Sequence, residues 1–284
     1  MGKILLSAFS DEFADAFDEQ LAGMRDFGID YIELRHVDKI NVSALTEGQV
    51  AEAKRKLDAS GIRVSAIGSP LGKCRLDEID AHMETAKRVF ETACALDTGF
   101  VRVFSFYAPA GKCITDLYDE VLSGMDRMLT LAESYGLTLC HENEAKIYGD
   151  VPARCRELLD AFGGRLKCVF DMGNYVLEGV DPYPAAYDLL KSDITYFHIK
   201  DALAAGAIVP PGCGEAHIPE LLSTHAASVK EDFFVTLEPH LKTFSGLNAL
   251  VVDGKPAFEN PYQYPDKKAA FADAVTKIKE IIQQ

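Results

Sequence analysis

One alternation governs this chain. A short apolar run, an amphipathic stretch and a break at glycine or a small residue follow one another from end to end. Short apolar runs bounded by breaks read as buried strands, and apolar residues three and four apart read as one face of a helix. Strands are expected at Lys3–Ala8, Tyr31–Leu34, Ile62–Ile67, Phe100–Phe104, Leu137–Glu142, Leu166–Asp171, Ile194–His198 and Phe233–Glu238. Helices are expected over Phe17–Phe27, Thr46–Ser60, Glu78–Leu96, Thr115–Tyr135, Pro152–Phe162, Tyr183–Leu190, Ile218–Val229 and Ala269–Ile282. Leu21, Met24 and Phe27 lie along one helical face, and Thr46 with Gln49 has capping-box spacing. Pro152 suits a first turn, and Gly28, Gly61, Gly136 and Gly163-Gly164 stop helices.

Strands that alternate with helices imply a parallel sheet. Eight such units in 284 residues, with no composition break, predict an α/β chain folded as one (β/α)8 TIM barrel spanning residues 1–284. The alternative is a doubly wound open sheet, which would carry a glycine-rich phosphate loop after its first strand. That place holds Ser7-Ala8-Phe9-Ser10-Asp11-Glu12, without glycine. Two connections are long, 201–217 and 239–266, the second containing Tyr262 and Tyr264. They should rise over the C-terminal face, where their length suits a lid or a subunit contact of a homodimer or homotetramer.

Composition removes several classes. With 44 acidic and 29 basic residues the net charge is -15, and no basic run offsets it, so no nucleic-acid partner is expected. Seven scattered cysteines, odd in number and without a CxxC pair, fit a reducing cytoplasm rather than a disulfide framework or structural zinc. The apolar start, Ile4-Leu5-Leu6, is too short for a signal core or a membrane span.

The last four strands end in Glu142, Asp171, His198 and Glu238. Barrel active sites sit at these strand ends. Taken singly, a polar residue there merely meets water. Three carboxylates at one buried rim would repel one another without a cation, so the four are expected to hold one divalent metal. Oxygen donors with one imidazole favour Mn²⁺, Mg²⁺ or Co²⁺, with Zn²⁺ also open. Cys140 and Cys168 lie too deep in their strands to join them.

Four motifs frame these residues: His141-Glu142-Asn143-Glu144, Phe170-Asp171-Met172-Gly173-Asn174, His198-Ile199-Lys200-Asp201 and Thr236-Leu237-Glu238-Pro239. With Gly212-x-Gly214 before the seventh helix, they resemble the xylose-isomerase-like TIM-barrel superfamily of sugar and sugar-phosphate isomerases and epimerases, over essentially the whole chain. The resemblance implies that the matching Glu, Asp, His and Glu bind one divalent metal and that Glu142 and Glu238 are the acid/base pair. Two departures count against a simple ketose 3-epimerase. Asn174 stands where those enzymes carry His, and 201–217 lacks their Arg.

Such a site would remove and return a proton α to a carbonyl through an enediolate. The expected activity is isomerisation or epimerisation of a ketose or related polyol. The alternatives are a lyase acting on an inosose, keto-sugar or C-glycoside, a hydrolase like the apurinic endonucleases, and a non-catalytic sugar binder. Further substrate contacts are expected from Lys200, Asn174, His217, His240, Glu33 and Phe106, the last with Phe9 and Tyr107 as an apolar wall. Lys200 has a salt bridge to Asp171 or Asp201 as its simpler role, His217 a helix cap or support for the metal, His240 a solvated loop position, and Glu33 an ion pair with Arg35 or His36.

Overall fold

The computed structural model describes residues 2–242 and 262–283. Eight parallel strands close into a barrel: β1 Ile4–Ala8, β2 Tyr31–Leu34, β3 Arg63–Ile67, β4 Phe100–Val103, β5 Thr138–Glu142, β6 Leu166–Asp171, β7 Ile194–Ile199 and β8 Phe233–Leu237. Every strand pairs with its neighbours in sequence, and β8 returns to β1. The open-sheet alternative is therefore excluded. The long helices are α1 Phe17–Asp26, α2 Glu47–Ser60, α3 Ile79–Ala95, α4 Tyr118–Ser134, α5 Pro152–Phe162, α8 Ile218–Ser228 and α9 Lys267–Ile282, with short α6 Met172–Leu177 and α7 Tyr187–Leu190. Thr46 and Gln49 form the reciprocal cap of α2, and Gly61 and Gly163 end α2 and α5 in left-handed conformations.

Strand parity sorts the side chains. Leu139, Phe170, Phe197 and Val235 point outward into the core shared with the helices. Ala66, Cys140, Val169 and Tyr196 point inward, with Phe100 and Phe234, and plug the barrel. Cys140, Val169 and Tyr196 each lie two residues before Glu142, Asp171 and His198, so the polar ends stand directly on an apolar floor.

Three features differ from expectation. Helix α6 follows β6 with no loop, because the Asp171 side chain caps it by accepting from the Asn174 N–H at 2.8 Å. A hairpin pairs His36–Val37 with Ile40–Asn41. Segment 201–217, expected as a long connection without strands of its own, contains a strand pair. Asp201–Ala202 pairs with Ile208–Val209, and the Asp201 carboxylate accepts N–H bonds from Ala202, Gly212, Gly214 and Ala216. A Cβ at Gly214 would fall 2.2 Å from Asp201 Oδ1, so glycine is what lets that loop close down. Of 239–266, residues 243–261 lie outside the described residues; Tyr264 donates to Asp273 at 2.6 Å. Among the described residues no helix is long and apolar enough to cross a membrane.

Candidate metal centre

Barrel registry brings the four strand ends together. Asp171 pairs across the ladder with His198, and His198 with Thr236, two residues before Glu238. Glu142, Asp171, His198 and Glu238 are all buried, and each offers one donor atom within 4.8 Å of the others. Ligands on opposite sides of a six-coordinate Mg²⁺ stand about 4.2 Å apart, so this span suits one small cation.

The individual atoms show what is spoken for. His198 Nε2 lies 2.9 Å from Glu33 Oε2, which turns Nδ1 toward Glu142 Oε1 at 3.1 Å and Glu238 Oε2 at 3.2 Å. Tyr196 donates to the other Glu33 oxygen at 3.2 Å. Lys200 donates to Asp171 Oδ2 at 2.9 Å and Asn174 Oδ1 at 3.0 Å, and lies 3.4 Å from Glu238 Oε2. Its stem slides past Gly173, where a Cβ would stand 2.7 Å from the Lys200 Cβ. Glu142 Oε2 and Glu238 Oε2 are buried yet make no hydrogen bond, although Arg102 Nη1 stands 3.2 Å from the former. Glu142 Oε1 and Glu238 Oε2 both stand beside His198 Nδ1, so the carboxylates converge on the imidazole, as a cation ligand set requires.

The charges agree. Asp11, Glu12, Glu33, Glu142, Asp171 and Glu238 are six buried carboxyl groups; Arg35, Arg102 and Lys200 are three buried cations beside them. Burial pushes the Glu142 carboxyl up, but His198 and Arg102 outweigh it and bring it down to about 2. Burial likewise raises Glu238, while Lys200 and His240 draw it well below the usual carboxylate range. Asp171 is pushed up to about 6 by burial, with Lys200 only partly offsetting its acidic neighbours. Burial lowers His198, yet Glu142 and Glu33 lift it well above an ordinary imidazole. Both His198 ring nitrogens face carboxylates, an arrangement that favours the protonated imidazole.

That predicts a pH dependence. Metal must displace the His198 proton at neutral pH, and below about pH 6 a second proton from Asp171 as well. Affinity should then fall more steeply under pH 6 than above it. Calorimetry in buffers of different ionisation heat, at pH 5 and 7.5, should count roughly one extra proton released at the lower value. An unchanged proton count would mean that Asp171 is already ionised at pH 5 or does not hold the ion.

The other expected contacts divide. Lys200 and Asn174 are at the centre, Asn174 reaching Glu142 Oε1 at 3.4 Å and the Asn143 carbonyl at 2.9 Å. Phe9 is also there, its ring edge-on to His198 and 4.2 Å from the Arg35 guanidinium. His240 is buried rather than solvated, 3.2 Å from Glu238 Oε1 and 3.3 Å from Glu12 Oε1.

Three expectations are corrected. Glu33 is fully buried and holds His198 and Tyr196, so it orients the imidazole. Phe106 is fully buried against Gly124 of α4, so it fills the layer between barrel and helices instead of walling the site. His217 stands apart, half exposed, 3.6 Å from Asp181, and makes no side-chain cap to α8. Tyr107 is half-buried beside Cys74 and Glu144.

The sequence reading missed two arginines and two acids. Arg102, inward on β4, bonds the Ser69 carbonyl and pairs with Glu142. Arg35 grips Asp11 through Nε and Nη2 at 2.9 and 3.2 Å, Glu12 at 3.2 Å and Glu238 Oε1 at 3.1 Å. Arg102 carried a signal: a charged residue within Phe-Val-Arg-Val-Phe, at the same parity as inward-facing Phe100. Asp11, Glu12 and Arg35 carried none beyond lying just past strand ends.

The sequence profile of the xylose isomerase-like TIM barrel matches residues 21–248. The chain belongs to that family. No curated protein matches it in sequence. Among solved structures, an L-ribulose 3-epimerase superposes with a TM-score of 0.72 at 17% identity, covering 100% of this chain and 95% of the other. A probable 3-DHS dehydratase from Bacillus anthracis gives 0.71 at 16%, covering 98% and 99%. The IolI protein, solved with a zinc atom, gives 0.70 at 15%, covering 98% of each. At these identities the superpositions establish the fold that this family member shares with them.

The Glu33–His198 pair makes a separate prediction. A carboxylate behind a metal-bound imidazole fixes the ring and its tautomer, and losing one typically costs 10–100-fold in metal affinity. Glu33→Ala should weaken Mn²⁺ binding by about that factor, while Glu33→Gln, which keeps an acceptor for Nε2–H, should lose less. Equal affinities in a Mn²⁺ titration of the three proteins would mean that His198 is oriented by other contacts.

Proposed function

We propose that this chain is a divalent-metal-dependent sugar isomerase or epimerase, acting on a proton α to the carbonyl of a ketose or related polyol. The observation that carries the reading is the donor set itself: Glu142, Asp171, His198 and Glu238 are buried, and each offers one atom within 4.8 Å of the others. A divalent ion held by Glu142, Asp171, His198 and Glu238 would polarise the carbonyl and acidify the neighbouring C–H; Mn²⁺, Mg²⁺ and Co²⁺ suit the donors best.

The chain's own residues do the rest. Glu142 ends β5 and Glu238 follows β8, so the two carboxylates flank a substrate from two sides. One takes the proton and the other returns it, through an enediolate. Glu142 is steadied by Arg102 and Asn174, Glu238 by Arg35 and His240. Lys200, kept protonated by Asp171 and Glu238 despite burial, supplies a donor for an oxygen on which negative charge develops. Phe9 packs edge-on against the imidazole.

Elimination is the second reading. Asn174 and the Arg-free segment 201–217 keep it open, because both depart from the ketose 3-epimerase pattern. One experiment tests both. The Mn²⁺-loaded protein is incubated in D₂O with a ketose, an inosose and a 3-oxo-glycoside, and followed by NMR. Deuterium at the carbon next to the carbonyl, with epimer or isomer, supports the first reading. An unsaturated product without epimer supports the second. No exchange on any member of the panel removes both.

A further inference from the structure

Glu238 has two faces. Oε2 turns to the metal centre; Oε1 turns toward Glu12 and His240. Glu12, Glu238 and His240 form a second buried donor set, one atom of each within 4.8 Å of the others. A carboxylate shared between two such sets is how paired-metal centres are built, with ions about 3.5–4 Å apart.

Arg35 stands in that second set. Nη1 is 3.1 Å from Glu238 Oε1, Nη2 is 3.2 Å from Glu12 Oε1, and Asp11 takes Nε at 2.9 Å. The guanidinium is 3% exposed and lies 4.2 Å from the centroid of Phe9, so it has no open direction in which to withdraw. It also cannot shed its proton. A divalent ion bound to the same two oxygens would sit against a fixed positive charge.

We propose that Arg35 is a built-in cation that fills the second position and limits the centre to one metal ion per chain. The inference rests on reading Glu142, Asp171, His198 and Glu238 as a metal site. It narrows that site to chemistry that a single ion supports, without the paired-ion clamp on attacking and leaving oxygens.

The test is a Mn²⁺ titration by calorimetry, with metal content by mass spectrometry and EPR for spin-coupled pairs. Wild type and Arg35→Lys, which keeps the charge, should each bind about one ion. Arg35→Gln should bind about two, give a coupled EPR signal, and return to one when Glu12→Gln is added. Loss of Arg35 leaves Asp11 unpaired, so Arg35→Met with Asp11→Asn serves as a second neutral variant. The result is read on whichever neutral variant keeps the wild-type far-UV circular dichroism. Two ions in wild type, or one in a folded neutral variant, would overturn the role of Arg35 and leave the metal-site reading standing. No ion in wild type would remove both.

Discussion

Replacing Glu142 with Gln should abolish deuterium uptake by the substrate while leaving a folded barrel. The side chain keeps its shape, and its amide oxygen still accepts from His198, now 3.1 Å from Oε1. What disappears is the base. A positioned acid or base contributes about 10²–10⁴-fold to rate, and Glu142 is also a metal donor, so the observed loss should reach at least the upper part of that span. Metal affinity must be measured alongside exchange, to separate the two roles. If saturating Mn²⁺ restores exchange, Glu142 is a ligand alone. If Mn²⁺ binds and exchange stays absent, Glu142 moves the proton. Exchange at the wild-type rate would sink the assignment outright.

The second large effect is on stability. Arg102 is 4% exposed, and its guanidinium faces Glu142 Oε2 at 3.2 Å in the barrel interior. Removing one partner of a buried ion pair leaves the other uncompensated and costs about 3–5 kcal/mol. Arg102→Met should therefore lower Tm on the order of 10 °C, at roughly 2–4 °C per kcal/mol for a chain near this size. The double variant Arg102→Met, Glu142→Gln should recover part of the loss, because the stranded charge is gone. Mn²⁺ should rescue the single variant for the same reason. A thermal melt in which the two substitutions simply add would mean that Arg102 supports the barrel through Ser69, Phe9 and Phe104 rather than through Glu142.

Much of this molecule is written in local patterns. The apolar runs that became β1 to β8 are short and follow glycine or small-residue breaks, and strand parity alone put Cys140 and Glu142 on the inward side. Helix α6 escaped because it begins at the last residue of a strand, with Asp171 serving both, and a six-residue helix barely establishes a period. Phe106 was misread for a related reason. It lies just past β4 with a positive φ of 69°, and that turn swings its ring outward to Gly124.

What the sequence determined by itself was the eight barrel strands and the long helices between them, the barrel that eight such units close, and the four polar residues at the ends of β5 to β8. Each of these follows from periodicity and position within a few residues of chain. What only the tertiary structure decided was the company those donors keep. Glu33 meets His198 across 165 residues, and Arg35 meets Glu238 across 203. Those pairings arise because closure of the barrel lays β1 against β8 and gathers inward-facing side chains from opposite strands at one depth. A charge on a strand end announces that it is polar; only closure says which opposite charge it meets.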